Sequence, residues 1–245
     1  MVVKDQIIVL KTIDFQDTSK IIGVLSKQFG RISLIAKGAK KPKSKFAGVL
    51  QAGNILEAVF YYKNGRDIHT LSDASFVVKA YPIHFDMEKL SILLPSLEMI
   101  DQLISEQSHT LEFYTFTEGL ISWLVKEKEM VKTLFPYVLI RLAEISGIQL
   151  SFEEESFDPH IDYFLNGEEG LISTTVSSGL SIKLQPRQAH YLFLACSNRG
   201  KLIQNYEMDK FELKNLIHHI DVYFKLHIDD LHDRKSDEIF DDIAD

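Results

Sequence analysis

Along the first eighty residues, apolar and polar side chains alternate in five short runs: VKDQIIVLKTIDF, SKIIGVLSKQF, GRISLIAKG, NILEAVFYYK and DIHTLSDASFVV. A period of two marks half-buried strands. The breaks carry turn chemistry, with Phe29-Gly30 between the second and third runs and Asn64-Gly65 between the fourth and fifth. Five short antiparallel strands with one long connection after the third predict a five-stranded Greek-key barrel of the OB type. In Val59-Phe60-Tyr61-Tyr62 every residue is bulky, so alternation cannot hide them all. Either Phe60 and Tyr62 or Tyr61 must face outwards, towards a stacked base or a second domain.

From Tyr81-Pro82 the period lengthens. Leu90, Leu93, Leu94 and Leu97, continued by Ile100, Leu103 and Ile104, follow helical spacing. Pro95 inside that stripe implies a kink, or a helix that starts nearer Ser96. A helix over 111–126 turns Phe113, Phe116, Leu120, Trp123 and Leu124 inwards. Further helices are predicted over 131–146, where Gly147 terminates the run and Pro136 marks a kink or the true start, and over 185–198 and 210–227. A short last turn covers 237–243. Residues 150–184 break this rhythm with short alternating runs and turn signals at Asn166-Gly167 and Gly179. The fold class is therefore α+β multidomain. An OB-fold β-barrel over residues 1–80 precedes a mainly α-helical domain over 81–245, which carries a small irregular, partly β insertion at 150–184.

A chain of 245 residues with 45% hydrophobic content supports one large domain or two modest ones. No apolar run approaches the roughly 20 residues that a membrane span needs. The start MVVKDQIIVLKT is interrupted by charge and lacks a small-residue cleavage site. The single cysteine, Cys196, excludes an internal disulfide framework and fits a reducing compartment, so a soluble, cytoplasmic protein is expected.

Charge changes the picture more than composition does. The net charge of −8 conceals 13 Lys and Arg against 6 Asp and Glu in residues 1–80, a balance of +7. The remainder carries 14 against 29, a balance of −15. A basic segment points to a polyanion. Five lysines, Lys37, Lys40, Lys41, Lys43 and Lys45, fall within nine positions of the long third connection, and no acid lies between Lys37 and Phe46. A solvated charge run is the plain alternative. Gly38 and Pro42 punctuate the segment, which predicts a mobile loop rather than a helix face. Lysine contacts phosphate as a flexible point charge without the fork that reads base edges, so binding through this loop is expected to ignore sequence. Arg31, Lys63 and Arg66, on or beside strands, extend the positive surface.

Candidate catalytic chemistry is sparse. His218, His219, His227 and His232 lie among Asp221, Asp229, Asp230 and Asp233, but at none of the spacings that define metal sites. The run Glu153-Glu154-Glu155 reads as a solvated loop. No phosphate-binding glycine loop or nucleophile elbow occurs, and Cys196 in HYLFLACSN reads as a small core residue. No enzyme, catalytic residue or metal site is expected.

With these elements in place, GRISLIAKGAKKPKSKFAGVLQAG and DIHTLSDASFVVKAYP, followed by ISWLVKEKEMVKTLFPYVLIRLAEISGIQL and DVYFKLHIDDLHDRKS, resemble the bacterial recombinational repair protein family RecO over essentially the whole chain. The AKGAKKPKSK loop is its most specific part. The resemblance implies a cytoplasmic, nucleoid-associated, non-enzymatic mediator of DNA repair and recombination. Such a protein binds single- and double-stranded DNA, anneals complementary strands and, with RecR, assists RecA in loading onto DNA coated by single-strand-binding protein. It places DNA contacts on Lys37, Lys40, Lys41, Lys43 and Lys45 with Arg31 beside them, and docks the tail of single-strand-binding protein on the helical domain. Many members of the family carry a four-cysteine zinc site where this chain has residues 150–184, which contain no cysteine. A tetrahedral thiolate site cannot form there, so no zinc is expected, and the insertion should rest instead on Phe152, Phe157, Ile161, Tyr163, Phe164 and Leu171. A protein-interaction adaptor whose loop meets an acidic partner, an RNA-binding OB protein and, last, a metal-dependent nuclease are the competing classes.

Overall fold

A computed structural model describes residues 1–104, 110–128, 133–177, 179–197, 200–204 and 206–237. The chain forms two compact units: one contains Met1–Lys128 together with the segment from Arg234, the other contains Glu129–Asp233.

The first unit is built on five strands, β1 (Val2–Phe15), β2 (Ser19–Ser26), β3 (Gly30–Ala36), β4 (Ile55–Tyr61) and β5 (Ile68–Val78). They close into a barrel in the order β1-β2-β3-β5-β4, with β3 and β5 parallel and the other pairs antiparallel. This is the expected five-stranded OB barrel. Its interior is filled by one face of every strand, including Val3, Ile7, Val9, Ile22, Val24, Leu34, Leu56, Ala58, Phe60 and Leu71. Phe60 is therefore inside. Tyr61, one residue on, is 54% exposed, which settles the orientation left open by the sequence. Tyr62 is half-buried and stacks between Phe29 and His69, each 4.4 Å away between ring centroids. The tight β2–β3 turn is held by buried Asp5, which accepts from the Ser26 hydroxyl and from the Gln28 backbone N–H at 3.1 Å.

The outer face of the barrel is also partly closed. Ile8, Leu25 and Ile55 point away from the interior yet are fully buried. Helices α1 (Met87–Leu103) and α2 (Thr110–Lys126) pack on β1, β2 and β3. Helix α1 begins at an Asp86 cap, whose carboxylate accepts from the Lys89 N–H, and runs through Pro95 rather than starting near Ser96. The proline removes one backbone donor; beside it the Ser96 hydroxyl donates to the Ile92 carbonyl at 2.6 Å. In α2, Phe113, Leu120 and Leu124 are buried as expected, joined by Tyr114, Thr117 and Ile121, while Phe116 and Trp123 are only half-buried.

The second unit contains α3 (Leu134–Ile145), α4 (Pro186–Cys196), the short α5 (Gly200–Ile203) and α6 (Lys210–His227). Pro136 sits in the first turn of α3, and Gly147, at φ +79, follows its end. The Tyr191 hydroxyl donates to the Thr133 carbonyl, and Tyr223 to the Ile148 carbonyl at 3.0 Å. The insertion forms a four-stranded sheet in the order β6-β8-β7-β9, from β6 (Ser151–Phe152), β7 (Phe164–Asn166), β8 (Leu171–Ser173) and β9 (Ser181–Lys183). Its buried apolar residues are Leu150, Tyr163, Leu165, Ile172 and Leu184, whereas Phe152, Phe157, Phe164 and Leu171 are half-buried and Ile161 is exposed. Of the residues expected to support the insertion, Tyr163 is therefore buried and Phe152, Phe157, Phe164 and Leu171 contribute in part, while Leu165 and Ile172 take the fully buried places. The expected final turn over 237–243 lies beyond the described residues except for Asp237.

Candidate nucleic-acid interface

The lysine segment leaves β3 at Ala36 and returns at β4. It is a chain of tight turns rather than a loose loop. Lys41 N–H bonds the Gly38 carbonyl at 3.1 Å, Ser44 that of Lys41 at 2.9 Å, Ala47 that of Ser44 at 3.1 Å and Val49 that of Phe46 at 3.1 Å. Gly38 adopts φ +72, a conformation that costs glycine little. Ala39, Phe46, Val49 and Leu50 are buried in the barrel's core cluster and pin the segment at both ends. The Lys40 N–H reaches the Thr18 carbonyl at 3.0 Å and ties the segment to the β1–β2 hairpin. Buried Asn54 closes the far end, donating to the Val49 carbonyl and accepting from the Ala80 N–H, both at 2.9 Å. Apolar anchors alternating with lysines thus turn the segment into a fixed ridge whose charged side chains remain in solvent.

All five lysines are exposed. Lys40 is shared with Asp14 at 3.1 Å and Lys45 with Asp73 at 3.1 Å. The hydrogen-bonded Lys40 ammonium, helped by Lys20, holds the Asp14 carboxyl below its ordinary range. These are solvent-exposed pairs, weak enough for a phosphate to compete with. Among the described residues no ion pair joins Lys37, Lys41 or Lys43 to a carboxylate.

The other three predicted cations lie elsewhere. Lys63 and Arg66 are exposed in the β4–β5 hairpin. That hairpin enters β5 where Ile68 pairs with Ser33 of β3, close to the β2–β3 turn through the Tyr62–Phe29 stack. The lysine ridge begins at the opposite end of β3, about 20 Å away for a strand of this length. The two clusters flank the barrel rather than forming one patch. Burial, followed by the charge of Arg66, holds the His69 imidazole below its ordinary value. Arg31 points to α1, where its Nε meets Asp101 Oδ1 at 2.6 Å, and Lys11 Nζ meets the other carboxylate oxygen at 2.6 Å. Burial raises the Asp101 carboxyl, but the two cations outweigh it and the net direction is downwards. The β2–β3 face that OB barrels commonly offer to oligonucleotides carries α2 in this chain, and Arg31 of β3 ties it to α1. This feature depends on tertiary packing, and periodicity alone could not reveal it.

No group of three metal-ligating side chains occurs among the described residues. In the insertion, a thiolate zinc site does not fit the residues present: Phe157 stacks on Tyr163 at 5.3 Å and on His190 at 4.8 Å, with Phe152 and Phe193 completing the cluster. His227 is bonded to the Gly167 carbonyl at 3.1 Å, a structural role. The Cys196 thiol, buried first and then opposed by Glu144, is pushed up to about 12, which leaves it protonated and unreactive.

Comparison with known proteins adds sequence relatives to this geometry. Residues 1–79 match the family model described as Recombination protein O N terminal. The chain is 27% identical over 254 residues to the DNA repair protein RecO of Pelodictyon phaeoclathratiforme, covering 98% of this chain and 97% of that one. It is 32% identical over 153 residues to the protein of the same name from Chlorobium limicola, spanning 62% of this chain and 59% of that relative. With the one from Prosthecochloris aestuarii it shares 36% over 155 residues, 63% of this chain and 58% of the other.

Proposed function

We propose that this chain is a member of the RecO family, a DNA repair protein whose lysine ridge neutralises backbone phosphates of single- and double-stranded DNA without reading sequence. The observation that carries the reading is the ridge itself: five exposed lysines on a hydrogen-bonded, apolar-anchored segment of a basic OB barrel. Strand annealing fits such a surface, because two polyanions approach only where their repulsion is screened. Point charges that exchange readily between phosphates screen both strands and trap neither. The proposed role is non-enzymatic mediation in the DNA-bound phase of repair, with RecR, the tail of single-strand-binding protein and, functionally, RecA as partners. The 390 Å³ cleft in the second unit sets Arg141 against Glu144, Glu154 and Glu155, which makes it a poor receptor for an acidic tail.

Salt-dependent binding is the test. Neutralising about five phosphates on a single strand gives a log–log slope of about −3.5, a loss of roughly a hundredfold between about 50 and 200 mM salt. The triple variant Lys37→Gln/Lys41→Gln/Lys43→Gln is expected to flatten the slope by about 2. A parent slope near zero, or a triple variant that binds like the parent, would instead favour an adaptor whose loop meets protein. Equal-length RNA and DNA compared at one salt concentration separate the RNA-binding alternative.

A further inference from the structure

Three large aromatic side chains near the start of the helical region are left in solvent: Phe76 is 38% exposed, Tyr81 62% and Phe85 74%. Exposed rings so close in sequence are uncommon on a surface that needs only solubility. Tyr81 and Phe85 contact each other at 4.6 Å, and Lys79 Nζ lies over the Phe76 ring at 4.8 Å. Phe76 and Tyr81 line an open groove of about 490 Å³ together with Ala47, Gly48 and Gln51, the last turns of the lysine ridge, while Phe85 lies behind Tyr81. No carboxylate lines it among the described residues. Just before that wall, Lys45 bridges to Asp73 on β5, the strand that ends in Phe76 and Val78. A phosphate chain following the ridge from Lys37 to Lys45 is therefore delivered to a groove with flat aromatic walls and a cation at its edge.

We propose that this groove accepts the unstacked bases of single-stranded DNA, with Phe76 and Tyr81 as stacking faces and Lys79 as a further phosphate contact. The inference rests on the phosphate-binding role of the ridge and adds to it a preference for single strands. Duplex bases are already stacked and cannot enter, whereas every unpaired base has a face to offer whatever its identity. Charge favours the same occupant, since a wall continuous with five lysines suits a polyanion better than a neutral apolar peptide. Tyr61, the exposed tyrosine of β4, lies at the other end of its strand, opposite Val2 and away from the ridge.

The test compares a thymidine oligonucleotide with an abasic strand of equal length on the full chain at fixed salt. The unsubstituted protein is expected to bind the base-bearing strand about tenfold more tightly. In Phe76→Ala/Tyr81→Ala that preference should vanish, while duplex binding and the salt slope stay as in the parent. The abasic comparison needs no variant, so a misfolded double mutant leaves the proposal decidable. Equal affinity of the unsubstituted protein for both strands would overturn the stacking role while leaving the ridge intact. Loss of the ridge's salt slope would instead remove the reading beneath it. A double variant that keeps its base preference but loses binding of an acidic, apolar-ended peptide would assign the groove to a protein partner and overturn the proposal.

Discussion

Asp101 shows how one residue divides the basic surface into structural and available charge. Its side chain is 11% exposed and receives both Lys11 and Arg31 at 2.6 Å. Arg31 therefore helps to fasten α1 to the barrel and is less free for phosphate than the ridge lysines, although all carry the same formal charge. The pair of cations is half in solvent, so its worth lies between that of an exposed and a buried bridge. Replacing Asp101 by Asn should cost about 1–2 kcal/mol near neutral pH. The sign of the pH dependence follows from the lowered carboxyl. A group depressed in the folded state stabilises fully above its unfolded pKa, about 3.9, and loses that contribution as pH falls through the folded value. Melting temperatures of the parent and Asp101→Asn should thus differ at pH 7 and converge below about pH 4. A deficit independent of pH would mean that packing, and not the ion pair, is what the substitution removes.

Among the elements, the insertion gives the sharpest stability test, because its sheet has two faces and only one is buried. Leu165→Ala, at a site with no exposure, should cost about 2–4 kcal/mol in chemical unfolding. Phe164→Ala, at a half-buried neighbour, should cost less despite removing more atoms. The reverse order would mean the opposite register. If the ring cluster around Phe157 takes the place of thiolate-bound metal, prolonged chelation should leave the melting temperature unchanged; a fall would reveal a metal contribution. The same insertion shows where the sequence was legible and where it was not. The barrel strands were readable because each runs seven residues or more and is bounded by turn residues. Strands of two or three residues are too short for a period of two to declare its phase, which is why Leu165 and Ile172 escaped notice beside their bulkier or equally apolar neighbours Phe164 and Leu171. Pro95 argued for a later start to α1, yet Asp86, a good cap immediately before Met87, was the stronger signal. The lysines were visible as a run, but their anchoring came from Ala39, Phe46, Val49 and Leu50, whose burial requires the closed barrel.

At the scale of the whole molecule, a net charge of −8 and pI near 5.6 would predict repulsion from DNA, while the local balance of +7 in residues 1–80 predicts attraction. Screening decides which is felt. At about 0.1 M salt the Debye length is about 10 Å, so a phosphate on the ridge interacts with the lysines and little else. At about 0.01 M it reaches about 30 Å, the scale of a domain, and the balance of −15 in the remaining residues opposes the same phosphate. Binding of a short single strand should therefore follow a log–log slope of about −3.5 from about 50 to 300 mM and flatten towards zero below about 20 mM. A titration from 10 to 300 mM at constant pH, fitted in two segments of roughly equal width, would measure the bend. A straight line down to the lowest salt would mean that the acidic residues are held too far from the ridge to matter. In Lys37→Gln/Lys41→Gln/Lys43→Gln the same repulsion opposes a weaker attraction, so the bend should move to higher salt; a bend that stayed in place would rule out competition between ridge and acidic segment.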